Sequence, residues 1–314
     1  MMTDRSAPRS SRFWLTVAGV ALTLFMSCSV MGQSAAHHDK QFWKSIADHQ
    51  YQIPEGESST SLLDDLTDHL GSPDPELRDD LVYGISAVWI YRDGLLAGDQ
   101  LRTLARKCEN NLTIGIGEQG TDTVLLRSFS ALELSLIAAF DNKKPFLTDA
   151  DFSGLLNATL NYFKSERDLR GYDAEKGWMH ATAHTADLLK FLARSPHLKT
   201  TDQPRILEAI GGKLRQDGHA IVFGENERMA AAVLSLVRRS DFDEGDFQNW
   251  LNGVAAESDS LWRAQKLSLA RFTAVQNAKD LLRSLVVQIN LLDTAGPVVK
   301  TAESSILATL KRMR

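Results

Sequence analysis

The chain has 314 residues, 43% hydrophobic and 24% charged, with a formal net charge of -5 and a pI near 5.9. That composition supplies enough apolar mass for a substantial core and excludes a disordered chain. The acidic balance gives no reason to approach phosphate backbones, and the one basic run, Lys311 to Arg314, suits the negative end of a terminal helix, so nucleic acid is not an expected partner.

Residues 1–36 differ from the rest. Arg5, Arg9 and Arg12 lead into an uncharged stretch from Phe13 to Gly32, the pattern of an export signal or a membrane or lipid anchor. Three fates fit: cleavage near Ser34-Ala35-Ala36, lipidation of Cys28 in LFMSC, which resembles a bacterial lipobox, or retention as an anchor in the membrane. Each places residues 37–314, read as a single helical-repeat domain, outside the cytoplasm, periplasmic or on an outer membrane face. Cys108 is then left without a disulfide partner and reads as a helix-end thiol.

Beyond residue 40 apolar residues recur at three- and four-residue steps with almost no strand-like alternation, so the expected fold is all-α. Leu77, Leu81, Ile85, Val88 and Trp89 make one stripe; Phe152, Leu155, Leu156, Leu160 and Phe163 make another. Longer helices are expected to begin near Glu76, Thr121, Glu175 and Gly224, each followed by a shorter one near Asp99, Thr148, Asp202 and Asp243. Recurring helical pairs at this interval read as paired antiparallel helices stacked in a HEAT-like solenoid, with a compact α/α toroid as the alternative. GIGEQG, from Gly115 to Gly120, follows no strand and precedes no Lys-Ser/Thr, which excludes a phosphate loop.

The stretch GWMHATAHTADLL, Gly177 to Leu189, carries the candidate site. On a continuous helix His180, His184, Asp187 and Phe191 fall within about 60° of one another, opposite an apolar half-wheel that includes Leu188 and Leu192. Histidines four residues apart suit a divalent metal such as zinc, but Asp187 lies two turns from His180, roughly 10 Å along the axis, too far to share one ion. Asp187 is instead expected to orient His184, with any third ligand coming from Asp173, His219 or Glu225. Arg127 and Glu225 occupy positions near His180 when the repeats are overlaid, so both join the candidate ligand-binding set. The competing reading is a solvated face with ordinary capping charges.

The run ERDLRGYDAEKGWMHATAHTADLLKFLARSPHL, with LLRSFSALELSLIAAFDNKKPFL upstream, resembles an uncharacterised bacterial family of unknown function whose members share a Gly-Trp-x-His-x-x-x-His-x-x-Asp-Leu-Leu helix. The likeness covers roughly Leu62 to Leu292 and implies an all-helical, repeat-like fold and no activity. Two functions follow as expectations: a binding or scaffold module taking a peptide, protein or small molecule in a His/Asp-lined groove, or a hydrolase built on His180 and His184. No cofactor is required by the first.

Overall fold

The computed structural model describes residues 37–261 and 263–313; the stretch read as an export signal and Cys28 lie outside them. From His37 onward the chain is one compact unit. α1 spans Lys40–Asp48 and α2 Ser59–Thr67, each started by a capping side chain: Asp39 accepts from Phe42 N, and Ser58 from Ser61 N. α3 joins Glu76–Tyr83, Gly84–Ser86 and Ala87–Arg92, with wide π-type turns on either side of a short α stretch. The remaining helices are α4 Gly98–Asn111, α5 Thr123–Lys143, α6 Asp149–Ser165, α7 Ala181–Arg194, α8 Gln203–Leu214, α9 Glu225–Val237, α10 Glu244–Leu261, α11 Leu269–Asn290 and α12 Pro297–Arg312.

These helices form two layers. α3, α5, α7, α9 and α11 pack side by side in chain order, and α4, α6, α8, α10 and α12 form the second row. Contacts along the first row advance in step: Ser128 meets His184 and Asn142 meets Phe191 between α5 and α7, while Asp187 meets Arg228 and Arg194 meets Ser235 between α7 and α9. Neighbours in that row are therefore parallel, and the chain must return through each second-row helix in the opposite sense. The all-α stacked arrangement expected from the sequence is present, with second-row helices beginning at Gly98, Asp149, Gln203 and Glu244, close to the expected starts at Asp99, Thr148, Asp202 and Asp243.

α5 is long and apolar enough to cross a membrane by length and composition, yet 89% of its most apolar window is buried by the fold. It is the central core helix, with Leu134 and Ile137 fully enclosed, so truncating either to Ala is expected to cost about 2–5 kcal/mol.

One boundary differs from the sequence reading. The long helix expected near Glu175 begins at Ala181, and a two-stranded hairpin, β1 Tyr172–Asp173 and β2 Gly177–Trp178, occupies the residues before it. The hairpin turn is fixed locally, because Asp173 Oδ1 accepts from Glu175 N and Lys176 N at 2.9 Å each. Gly177 then takes φ +72°, which a side chain would resist.

A candidate binding site where the hairpin meets the parallel helices

The hairpin is fastened to the first row by Arg78 of α3. This fully buried guanidinium donates from Nη2 to Lys176 O and from Nη1 to Ser72 O, 2.7 Å each, and lies 4.5 Å over the Phe129 ring. Met179 N closes the far side by donating to Gly171 O at 2.9 Å. The chain then enters α7 through His180, which is held in the left-handed region at φ 46°, ψ 30°. A β-carbon is costly there, and strained residues of this kind concentrate at ligand sites.

Above His180 the chain builds an aromatic patch. The Trp178 ring stacks on the His180 imidazole at 4.1 Å between centroids, Tyr172 meets Trp178 edge-on at 4.8 Å, and Phe223, from the loop before α9, lies 6.3 Å from Trp178. Tyr172, Trp178 and Phe223 remain 52%, 40% and 41% exposed. Their backbone is nevertheless pinned: Phe223 N donates to Glu225 Oε2 at 2.8 Å, and Phe223 O accepts from His180 Nε2 at 3.0 Å. Gly171 makes the seat, since a β-carbon there would fall 2.0 Å from Phe223 Cδ2. Rigid aromatic rings held partly in water are apolar contact area available to a ligand.

Beneath the patch, His184, like His180, is buried, contrary to the helical-wheel expectation that both histidines face away from the core. The wheel assumed a helix running unbroken through Trp178, whereas the hairpin folds over that end and Ser128 and Phe129 of α5 cover the ring. Ser128 donates its only hydroxyl proton to Met179 O, so the 2.9 Å contact between Ser128 Oγ and His184 Nδ1 has the imidazole as donor. The neutral form of His184 therefore carries its proton on Nδ1 and leaves Nε2 as an acceptor, with the Phe129 ring edge-on at 4.8 Å. Burial, His180 and the Arg228 guanidinium hold its pKa well below the usual histidine range. Burial and Arg228 also lower that of His180, whose ring is 5.7 Å from His184.

The other sequence candidates separate into those that serve this patch and those that do not. Asp187 pairs with Arg228 and with Lys190, the latter at 3.1 Å, and not with His184 as expected: Ser128 already holds the imidazole. Glu225 positions Phe223, and Asp173 shapes the hairpin turn, so both support the patch through backbone hydrogen bonds. Phe191 lies farther along α7, with Lys190 Nζ 4.6 Å and the Arg194 guanidinium 5.4 Å from its ring centre.

Arg127, placed in the candidate ligand-binding set from the sequence, is a buried structural tie instead. It is fully buried, pairs twice with Glu166 at 2.6 and 3.1 Å, and donates to Ile114 O and Gly115 O, fastening two loops. His219 offers its carbonyl to Asn277 Nδ2 at 2.8 Å. Among the described residues no group of three or more His, Cys, Asp or Glu is placed to hold a metal ion. His180 and His184 are two nitrogen donors only.

Ser128, Phe129, Arg78, Phe223 and Arg228 were not singled out from the sequence. Each joins the site from another helix or loop, and none carries a local pattern that announces its partner. No curated protein and no solved structure matches the chain. Residues 112–287, which hold α5, the hairpin, α7 and α9, match the family described as "Protein of unknown function (DUF2785)". That match is narrower than the span of the sequence resemblance and covers more than half of the chain. The chain belongs to the DUF2785 family.

Proposed function

We propose that the protein is a helical-repeat binding module that holds a peptide segment against the Tyr172–Trp178–Phe223 patch. The observation that carries this reading is three exposed aromatic rings on a backbone pinned by Arg78, His180 and Glu225. Pre-ordered rings lose little freedom on binding, and their flat faces suit backbone and apolar side chains alike. The mixed charges of Asp187, Lys190 and Arg228 lie on the adjoining helices and would select among peptides by charge. A hydrolase reading gains less support, because Ser128, the hydroxyl beside the histidines, is fully buried with its proton committed to Met179 O. The likeness to HEAT-type repeats rests on the parallel first row and its returning second row.

Display of random twelve-residue peptides on phage, selected on the wild-type chain, tests the reading. Wild type is expected to enrich a sequence class that Trp178→Ala/Phe223→Ala does not retain. Equal enrichment on both, or none on wild type, contradicts it. Export belongs to the same proposal and rests on Arg5, Arg9 and Arg12 preceding the apolar stretch. Labelled fatty acid incorporated by wild type and lost in Cys28→Ser would support a lipid anchor, and full-length protein confined to the cytoplasm would contradict export.

A further inference from the structure

A second polar feature lies apart from the aromatic patch, at the C-terminal ends of α7 and α9. There a cavity of about 610 Å³ is lined by Arg194, Arg238, Arg239, Ser235, Asp241 and Gln288, among others. Arginines at helix C-termini commonly satisfy the last carbonyls and the dipole. Arg239 already does that work here: it donates to Ala193 O, Ser195 O and Leu198 O and pairs with Asp241 at 2.7 Å, so its charge is balanced.

The other two guanidiniums are not balanced. Arg194 donates from Nε to Ser235 Oγ at 3.0 Å, and Ser235 in turn donates to Ala231 O at 2.8 Å, which fixes the side chain's direction. No carboxylate pairs with Arg194 or Arg238 among the described residues, although Arg78, Arg127, Arg170, Arg205, Arg228 and Arg271 each have one. Burial and the neighbouring charge of Arg238 both push the Arg194 pKa down, as unrelieved repulsion does. Two like charges facing one cavity, with Nη groups uncommitted, form a ready fork for an oxyanion.

We infer that this cavity binds a small molecule bearing a phosphate group, with Arg194 and Arg238 gripping its oxygens and Ser235 holding Arg194 in place. Because Arg239 and Asp241 cancel, the two remaining positive charges match a phosphate dianion. The volume leaves room for an attached small organic group.

Calorimetric titration of the full chain with inorganic phosphate and with glycerol 3-phosphate, at constant ionic strength and with chloride and glycerol as controls, tests this. Saturable binding of either phosphate is expected, and the tighter of the two tells free phosphate from a phosphate ester. Arg238→Gln and Arg194→Gln are each expected to weaken it by about tenfold or more, the usual scale for one charge-assisted contact. Arg238 is exposed, so that variant should fold even if Arg194→Gln does not. A phosphate response equal to that of chloride, or Arg238→Gln binding as wild type does, would overturn the inference.

Discussion

Ser128 and His184 are joined across two parallel helices, with the imidazole Nδ1–H donating to the hydroxyl at 2.9 Å while that hydroxyl donates onward to Met179 O. The relay ties α5 to α7 and to the last residue before the strained entry at His180. It also fixes which nitrogen of His184 carries the proton.

Removing the ring should therefore cost stability. His184→Ala leaves Ser128 without its donor and opens a cavity beside Phe129, so a loss of about 1–3 kcal/mol is expected. His184→Asn keeps an N–H near the Nδ1 position and should lose less. Urea denaturation of the three proteins checks the order, and a His184→Ala protein as stable as wild type would contradict the buried relay.

The same burial gives a pH dependence on the acid side. With a folded pKa well below its ordinary 6.5, His184 binds a proton in the unfolded chain before it does in the fold. Its contribution is fully present above about 6.5 and is lost as pH falls toward the lowered folded value. Thermal melts should show wild type weakening below pH 6.5 more steeply than His184→Asn. Parallel curves for the two would exclude His184 as the cause.

Glu133 acts with the opposite sign. It is completely buried in α5, and burial pushes its pKa up to about 8 against the opposing influence of the Ser86 hydroxyl. The folded chain thus holds a proton that the unfolded chain releases from about pH 4.5 upward. Stability should fall as pH rises through that window and level off above about 8, and Glu133→Gln should flatten the slope between pH 6 and 8. Unchanged slopes in the variant would show that Glu133 ionises without cost.

Much of this architecture was legible in the chain because its signals are local. Thr148 and Asp151 form a reciprocal cap at the start of α6, and Pro204 and Pro297 mark the first turns of α8 and α12. The site was legible only in part. His180 and His184 were found, but Trp178, which the helical wheel put on the core face, is 40% exposed in the patch, and the phase of all three was wrong because a wheel cannot register the Asp173 turn or the left-handed Gly177 and His180. The burial of His184 is set by Ser128 and Phe129, fifty-odd residues earlier, and by Arg78, which reaches Lys176 from α3. Contacts of that range leave no mark on the spacing within GWMHATAHTADLL.

The tie between Arg127 and Glu166 gives a stability prediction away from the patch. Arg127→Met strands a buried carboxylate together with the carbonyls of Ile114 and Gly115, so it should cost about 3–5 kcal/mol. Adding Glu166→Gln removes the stranded charge and should recover part of the loss. A double-mutant cycle in urea measures the coupling, and additive losses would mean that the pair contributes nothing beyond its separate contacts.

The patch itself is tested most directly by the affinity of one peptide taken from the wild-type selection, labelled with a fluorophore and followed by anisotropy. Trp178→Ala should weaken its binding by at least about tenfold, the scale of a central aromatic anchor, with the helical circular dichroism unchanged. Gly171→Ala, which drives a methyl into Phe223, should weaken it in the same direction, while Arg238→Gln, outside the patch, should leave it as it was. Equal affinity for wild type and Trp178→Ala would contradict the account of Tyr172, Trp178 and Phe223 as the binding face.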